Sequence, residues 1–258
     1  MKFKAFPLTI CCVIFAWALT LYARDASKAA LPASREAPAA PNWWGNRHRA
    51  KLAEIACCKD VDVVFLGDSI LHYWEERHPA SWAKWTKDRS LNALNLGFSG
   101  DQTEHVMWRI TNGELDGYRA KTIVLLIGTN NAGQIKESEE PASNVAAGIR
   151  AILDVIKAKQ PQAKVILCAI LPRGKEKDFA DNVPWRNLEA NVLIRRFCDG
   201  KDVIWCDFGN EYLGPRGIVD RALMPDQLHP SAAGYEIFAK AVFPVVWRLI
   251  GAKESAAQ

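Results

Sequence analysis

The sequence predicts an α/β fold: a three-layer α/β/α sandwich around a central five-stranded parallel sheet. Two observations lead there. Five apolar runs have strand character, VDVVFLG (61–67), LNALNLGF (91–98), KTIVLLIG (121–128), AKVILCAI (163–170) and KDVIWCDF (201–208). Helix-like segments separate them. Strands that are apolar along their whole length must be covered on both faces, and alternation with helices makes their connections right-handed crossovers.

In chain order, MKFK gives a basic start and Ala5–Ala23 carries no charge before Arg24 and Asp25. This reads as an export signal, residues 1–23, or as an anchor that stays uncleaved. Cys11 and Cys12 lie inside the run after Ile10, a poor setting for a lipid-modified cysteine. Residues 24–42 are rich in Ala, Pro and Ser and are expected to be a flexible linker. The folded domain is expected over 43–252, starting with a short helix at NWWGNRHRAKLAEIACC, and 253–258 as a tail. Further helices are expected at 101–110, 142–159, 184–198 and 231–249. For the first of these, Asp101 and Glu104 form a capping-box pattern.

The chain has 258 residues, 49% hydrophobic and 24% charged, enough for one large domain that buries roughly 70% of its unfolded surface. A formal charge of +4, two of it from Lys2 and Lys4, is too weak to imply nucleic acid, and no nucleic-acid motif is visible. Beyond Cys11 and Cys12, five cysteines remain. Cys168 and Cys206 fit the core, and the adjacent Cys57 and Cys58 are too close for an ordinary bridge. No Cys/His spacing reads as a zinc site, so neither metal nor cofactor is expected.

Open parallel sheets carry their working groups at the carboxyl ends of the strands. There the chain places Gly67-Asp68-Ser69, Gly97-Phe98-Ser99-Gly100-Asp101, Gly128-Thr129-Asn130-Asn131, Leu171-Pro172-Arg173-Gly174 and, beyond the fifth strand, Asp226-Gln227-Leu228-His229-Pro230. These residue types suit acyl transfer. A serine hydroxyl needs a base, and His229 could serve Ser69. An imidazole needs a carboxylate to fix its tautomer, and Asp226 lies three residues away. The Ser69 N–H, the Gly100 N–H and the Asn130 amide could form an oxyanion hole. Each block alone is more often a turn or a cap than a site. Their combination at successive strand ends is far more specific.

GDSI (67–70), GFSGD (97–101), GTNN (128–131) and DQLHP (226–230) resemble the four blocks of the SGNH, or GDSL-type, hydrolases. Residues 95–117, NLGFSGDQTEHVMWRITNGELDG, and LPRG (171–174) bring the chain closer to the catalytic subunits of platelet-activating factor acetylhydrolase IB and their bacterial relatives. The similarity spans about residues 45–250. The resemblance implies Ser69 as nucleophile, Asp226 and His229 as its partners, and Ser69, Gly100 and Asn130 as oxyanion donors. Ile70, Thr129 and Leu228 fall where a small acyl pocket is expected. Ser99 departs from the glycine common in those subunits, and the exported N-terminus departs from the cytosolic animal enzymes. The expected function is an exported serine esterase acting on acetyl or other small acyl esters, on acetylated carbohydrate or lipid.

An α/β-hydrolase elbow needs Gly-x-Ser-x-Gly, which neither Gly67-Asp68-Ser69 nor Gly97-Phe98-Ser99 completes. Lysophospholipid or longer lipid esters are the second reading, and a non-catalytic binding domain the third. The ten tryptophans could stack on sugar or pack helices on the sheet. Arg109 and Arg173 could meet a charged substrate or lie on the surface. Asp68 is expected to be structural.

Overall fold

A computed structural model describes residues 27–36, 42–133, 142–174 and 183–252. The expected export segment 1–23 and tail 253–258 lie outside the described residues. The five strands are β1 (Asp60–Gly67), β2 (Ala93–Gly97), β3 (Arg119–Leu126), β4 (Lys164–Cys168) and β5 (Val203–Cys206). All pairings are parallel, in the order β2-β1-β3-β4-β5. The chain leaves β1 for β2 on one side and returns to β3 on the other. The topological switch point therefore lies between β1 and β3, where open sheets bind ligands.

Helices cover both faces: α1 (Trp43–Ile55), α2 (Ser69–Arg77), α3 (Pro79–Trp85), α4 (Thr103–Arg109), the five-residue α5 (Thr129–Gly133), α6 (Ala142–Lys159), α7 (Val183–Ile194) and α8 (Ala232–Ile250). Alternation along β1 sorts the core. Val64 and Leu66 face the layer of α4, α6 and α7, and Val63 and Phe65 face α2, α3 and α8. The second layer is aromatic. Trp74, at 0% exposure, stacks on Tyr235 at 5.3 Å and meets Phe65, Trp82, Phe238 and Phe243 edge-on. Trp44, Trp74, Trp82 and Trp85 are thus packing residues. Trp43 and Trp185 remain exposed.

Three expectations need correction. Residues 27–36 are not a free linker. Ala29 is fully buried against Gly148 of α6, its carbonyl accepts from Thr103 Oγ1 at 2.8 Å, and Ala33 N–H donates to the Glu104 carbonyl at 3.0 Å. Small side chains without periodicity read as linker, yet they let this strap lie flat on the helices. Second, Asp101 does not cap α4. The cap is Gln102, whose N–H donates to His105 Nδ1 at 2.9 Å. Asp101 is buried instead and takes the Trp44 indole N–H at 2.7 Å and Arg109 Nε at 2.8 Å. Third, Arg109 and Arg173 are not on the surface. Arg109 is fully buried between Asp101 and Glu114 and also donates to the Gly67 carbonyl at 3.3 Å. Arg173 is 5% exposed and donates to the Thr129 carbonyl at 3.1 Å.

Candidate active site

β1 ends at Gly67, where any side chain would run into the Leu126 carbonyl of β3. Asp68 follows in an extended conformation, and its Oδ1 accepts the Ile70 N–H at 2.9 Å. This cap starts α2 at Ser69. Ser69 is therefore the first helical residue, where a backbone N–H has no carbonyl one turn back. Burial pushes the Asp68 carboxyl up to about 7, and its Oδ2 has no hydrogen-bond partner among the described residues. Asp68 is structural, as expected.

The second piece comes from the far end of the chain. Asp226 Oδ1 accepts the N–H groups of Leu228 at 3.1 Å and His229 at 2.7 Å, closing a tight loop through Gln227 at φ +60°. Asp226 Oδ2 accepts from His229 Nδ1 at 2.7 Å. Burial pulls this carboxyl up, but the bonds from His229 and Leu228 outweigh it and hold it below the usual value. With Nδ1 turned to the carboxylate, Nε2 is the acceptor, and it lies 2.9 Å from Ser69 Oγ. Two anchors keep the loop there. Ser231 caps α8, and Tyr235 on α8 donates to the Ile70 carbonyl of α2 at 2.7 Å.

The expected oxyanion side comes from the ends of β2 and β3. Gly100 has φ +75°, which favours glycine. Asn130 is 7% exposed, and its Nδ2 donates to the Asp101 carbonyl at 2.8 Å, which fixes the amide plane. The neighbouring Asn131, fully buried, accepts the Thr103 N–H at 3.0 Å and ties α5 to α4. Of the pocket residues, Ile70 and Thr129 are 1% and 2% exposed, and Leu228 is half-buried. The arrangement can deprotonate a serine hydroxyl through an oriented imidazole.

One aromatic neighbour of the pair was not singled out from the sequence. Tyr73, one turn after Ser69, has its ring 4.9 Å from that of His229 and its hydroxyl 2.8 Å from Ser99 Oγ. The i, i+4 spacing from Ser69 is the signal that could have found it. His72 stays neutral, since burial and then nearby arginines and a lysine lower it to about 3. Its Nδ1 accepts the Ser99 N–H at 3.2 Å. A cavity of about 510 Å³ opens beyond β4 and β5, lined by Trp185, Leu188, Val192 and Ile218 among others. It does not include Ser69, but its walls Arg173 and Asn187 both reach Thr129 Oγ1.

The GDSL-like lipase/acylhydrolase family matches residues 65–237, a stretch that holds Ser69, Gly100, Asn130, Asp226 and His229. The chain belongs to that family. As a GDSL-like acylhydrolase it is an ester-bond hydrolase. It is 32% identical over 230 residues to the platelet-activating factor acetylhydrolase IB subunit alpha2 of Rattus norvegicus, covering 88% of this chain and 93% of that one. With the alpha1 subunit of Homo sapiens it shares 32% identity over 208 residues, 80% of this chain and 84% of the relative. In fold, this acylhydrolase matches a Bacteroides fragilis acylhydrolase structure at TM-score 0.67 and 18% identity, covering 82% of this chain and all of that one.

Proposed function

We propose that Ser69, His229 and Asp226 form a catalytic triad that removes small acyl groups, acetyl above all, from alcohols. The observation that carries this reading is the continuous relay from Ser69 Oγ through His229 to Asp226 at the sheet's switch point. Ser69 attacks the ester carbonyl as His229 takes its proton. Ser69 N–H, Gly100 N–H and the Asn130 amide hold the oxyanion. His229 returns the proton to the leaving alcohol, and water then repeats the cycle on the acyl-serine. Acetyl is the group named in the relatives, and Ile70 and Thr129, which stand next to the proposed Ser69 and Asn130, are buried. Export, with acetylated carbohydrate as the natural substrate, rests on the basic, then uncharged, N-terminal run and is part of the same proposal.

Wild type should hydrolyse p-nitrophenyl acetate, and Ser69→Ala should lose that turnover by at least about 10³-fold while still folding. An unimpaired Ser69→Ala protein would sink the triad. A second reading has its own support: the apolar cavity reaches Thr129 through Arg173 and Asn187, and a longer chain could enter it. A panel of p-nitrophenyl esters from C2 to C12 separates the two. Best turnover at C2 supports the acetyl reading, and best turnover at C8 or beyond supports the other. Fractionation of producing cells, with the mass of the mature N-terminus, tests export.

A further inference from the structure

Every polar atom of Ser99 is engaged. Its N–H donates to His72 Nδ1 at 3.2 Å, its hydroxyl pairs with Tyr73 at 2.8 Å, and its carbonyl accepts from Arg35 Nη1 at 2.7 Å. The last bond matters most, because the Ser99 carbonyl and the Gly100 N–H belong to one peptide unit. No described peptide bond is cis, so that N–H points opposite to the carbonyl. A cation that fixes the carbonyl therefore fixes the direction of the N–H. It also polarises the amide and strengthens its donor end. Arg35 is itself well placed to do this. Its Nη1 lies 3.3 Å from Asp101 Oδ1, its guanidinium sits 5.7 Å from the Trp43 ring centre, and its own carbonyl accepts from Asn42 at 2.7 Å. A side chain on Gly100 would meet Arg35 Nη1 at 3.1 Å.

We infer that Arg35, carried by the N-terminal strap, is a positioning residue for the oxyanion hole, acting through the Ser99–Gly100 peptide. The inference rests on the reading of Gly100 as an oxyanion donor. It makes the strap a working part of the hydrolase, although the family match begins thirty residues later, at residue 65. Arg35 bonds to the Ser99 carbonyl and Asp101 and makes no bond to Ser69. Its effect should therefore appear in the transition state and leave ground-state binding alone.

The test uses the full chain with p-nitrophenyl acetate. Arg35→Ala should lower kcat about 10- to 100-fold, less than removal of a whole donor, with KM within about twofold. A trifluoromethyl ketone, which forms a tetrahedral alkoxide on Ser69, should lose affinity by a similar factor. Arg35→Lys should recover part of kcat, since one ammonium donor can still reach the carbonyl. Low concentrations of free guanidinium should partly restore the alanine variant. If Arg35→Ala does not fold, Arg35→Gln, a neutral donor, gives the same readouts and should fall between lysine and wild type in neither kcat nor ketone affinity but below both. Unchanged kcat in a folded variant overturns the inference, as does a loss confined to KM. Ser69→Ala keeps the two readings apart. If it is inactive while Arg35→Ala is fully active, only the role of Arg35 fails. If Ser69→Ala is fully active, the triad itself fails.

Discussion

The side-chain amide of Asn130 donates to the main-chain carbonyl of Asp101 at 2.8 Å. One hydrogen bond thus joins the loop after β3 to the loop after β2, which carry two of the three proposed oxyanion donors. Asn130→Ala should remove a donor and a tether together. The expected loss in kcat is about 10²- to 10³-fold, accompanied by about 1 kcal/mol of stability. Steady-state kinetics and a urea melt on the same preparation measure both.

Asp226 holds the loop and orients the imidazole with different oxygens. Asp226→Asn can keep the bonds to Leu228 and His229 N–H through Oδ1, but its NH₂ no longer accepts the Nδ1 proton. The melting temperature should stay near that of wild type while kcat falls by about 10⁴-fold, the signature of a wrong tautomer. A large loss of stability with a small loss of rate would show that the carboxylate serves the loop alone.

Asp68 gives a stability slope. Its carboxyl is raised by burial to about 7 from an unfolded value near 3.8, so the folded state keeps a proton that the unfolded state releases. The Asp68 contribution to stability should be most favourable below about pH 4, fall as pH rises to about 7, and level off above. Asp68→Asn retains the cap on Ile70 and removes the titration. Relative to wild type it should gain stability between pH 5 and pH 8, up to about 4 kcal/mol over the whole window. Thermal melts at the two pH values give the sign directly.

Gly148 is the seat of the strap. A methyl group there meets the Ala29 carbonyl and Thr103 Oγ1. Gly148→Ala should cost about 1–3 kcal/mol and lift residues 27–36 from α6. Limited proteolysis should then cut the strap, and kcat should fall with the cleavage.

Arg109 is the buried counter-charge to Asp101 and Glu114. Arg109→Met keeps much of the volume but removes the buried cation the two carboxylates share, leaving Asp101 to Arg35 and Trp44 and Glu114 to His48. A loss of about 3–5 kcal/mol is expected, read as the shift of the denaturation midpoint. A loss under 1 kcal/mol would mean that both carboxylates are readily protonated.

Local chemistry made much of this legible in the sequence. Each strand lies within an expected apolar run or starts one to two residues before it, since runs covered on both faces need no periodicity to be recognised. Ser69 stood out in a short polar block at a strand end, Asp226 and His229 in another just before the last described helix, and the structure brings them into hydrogen-bond contact. What stayed hidden depended on distant partners. Asp101 has the chemistry of a helix cap, and only the burial of Arg109 and Trp44 beside it decides otherwise. Arg35 stands in an Ala- and Pro-rich stretch whose composition says nothing of a carbonyl 64 residues away. Tyr73 reads as one more aromatic on a helix until the His229 ring is placed beside it.

The bond between Ser69 and His229 spans 160 residues. During synthesis Ser69 leaves the ribosome long before His229 does, and α8, which ties the two ends together through Tyr235, follows His229. A nascent chain that stops short of His229 lacks the relay, so under the proposed triad it should show no turnover.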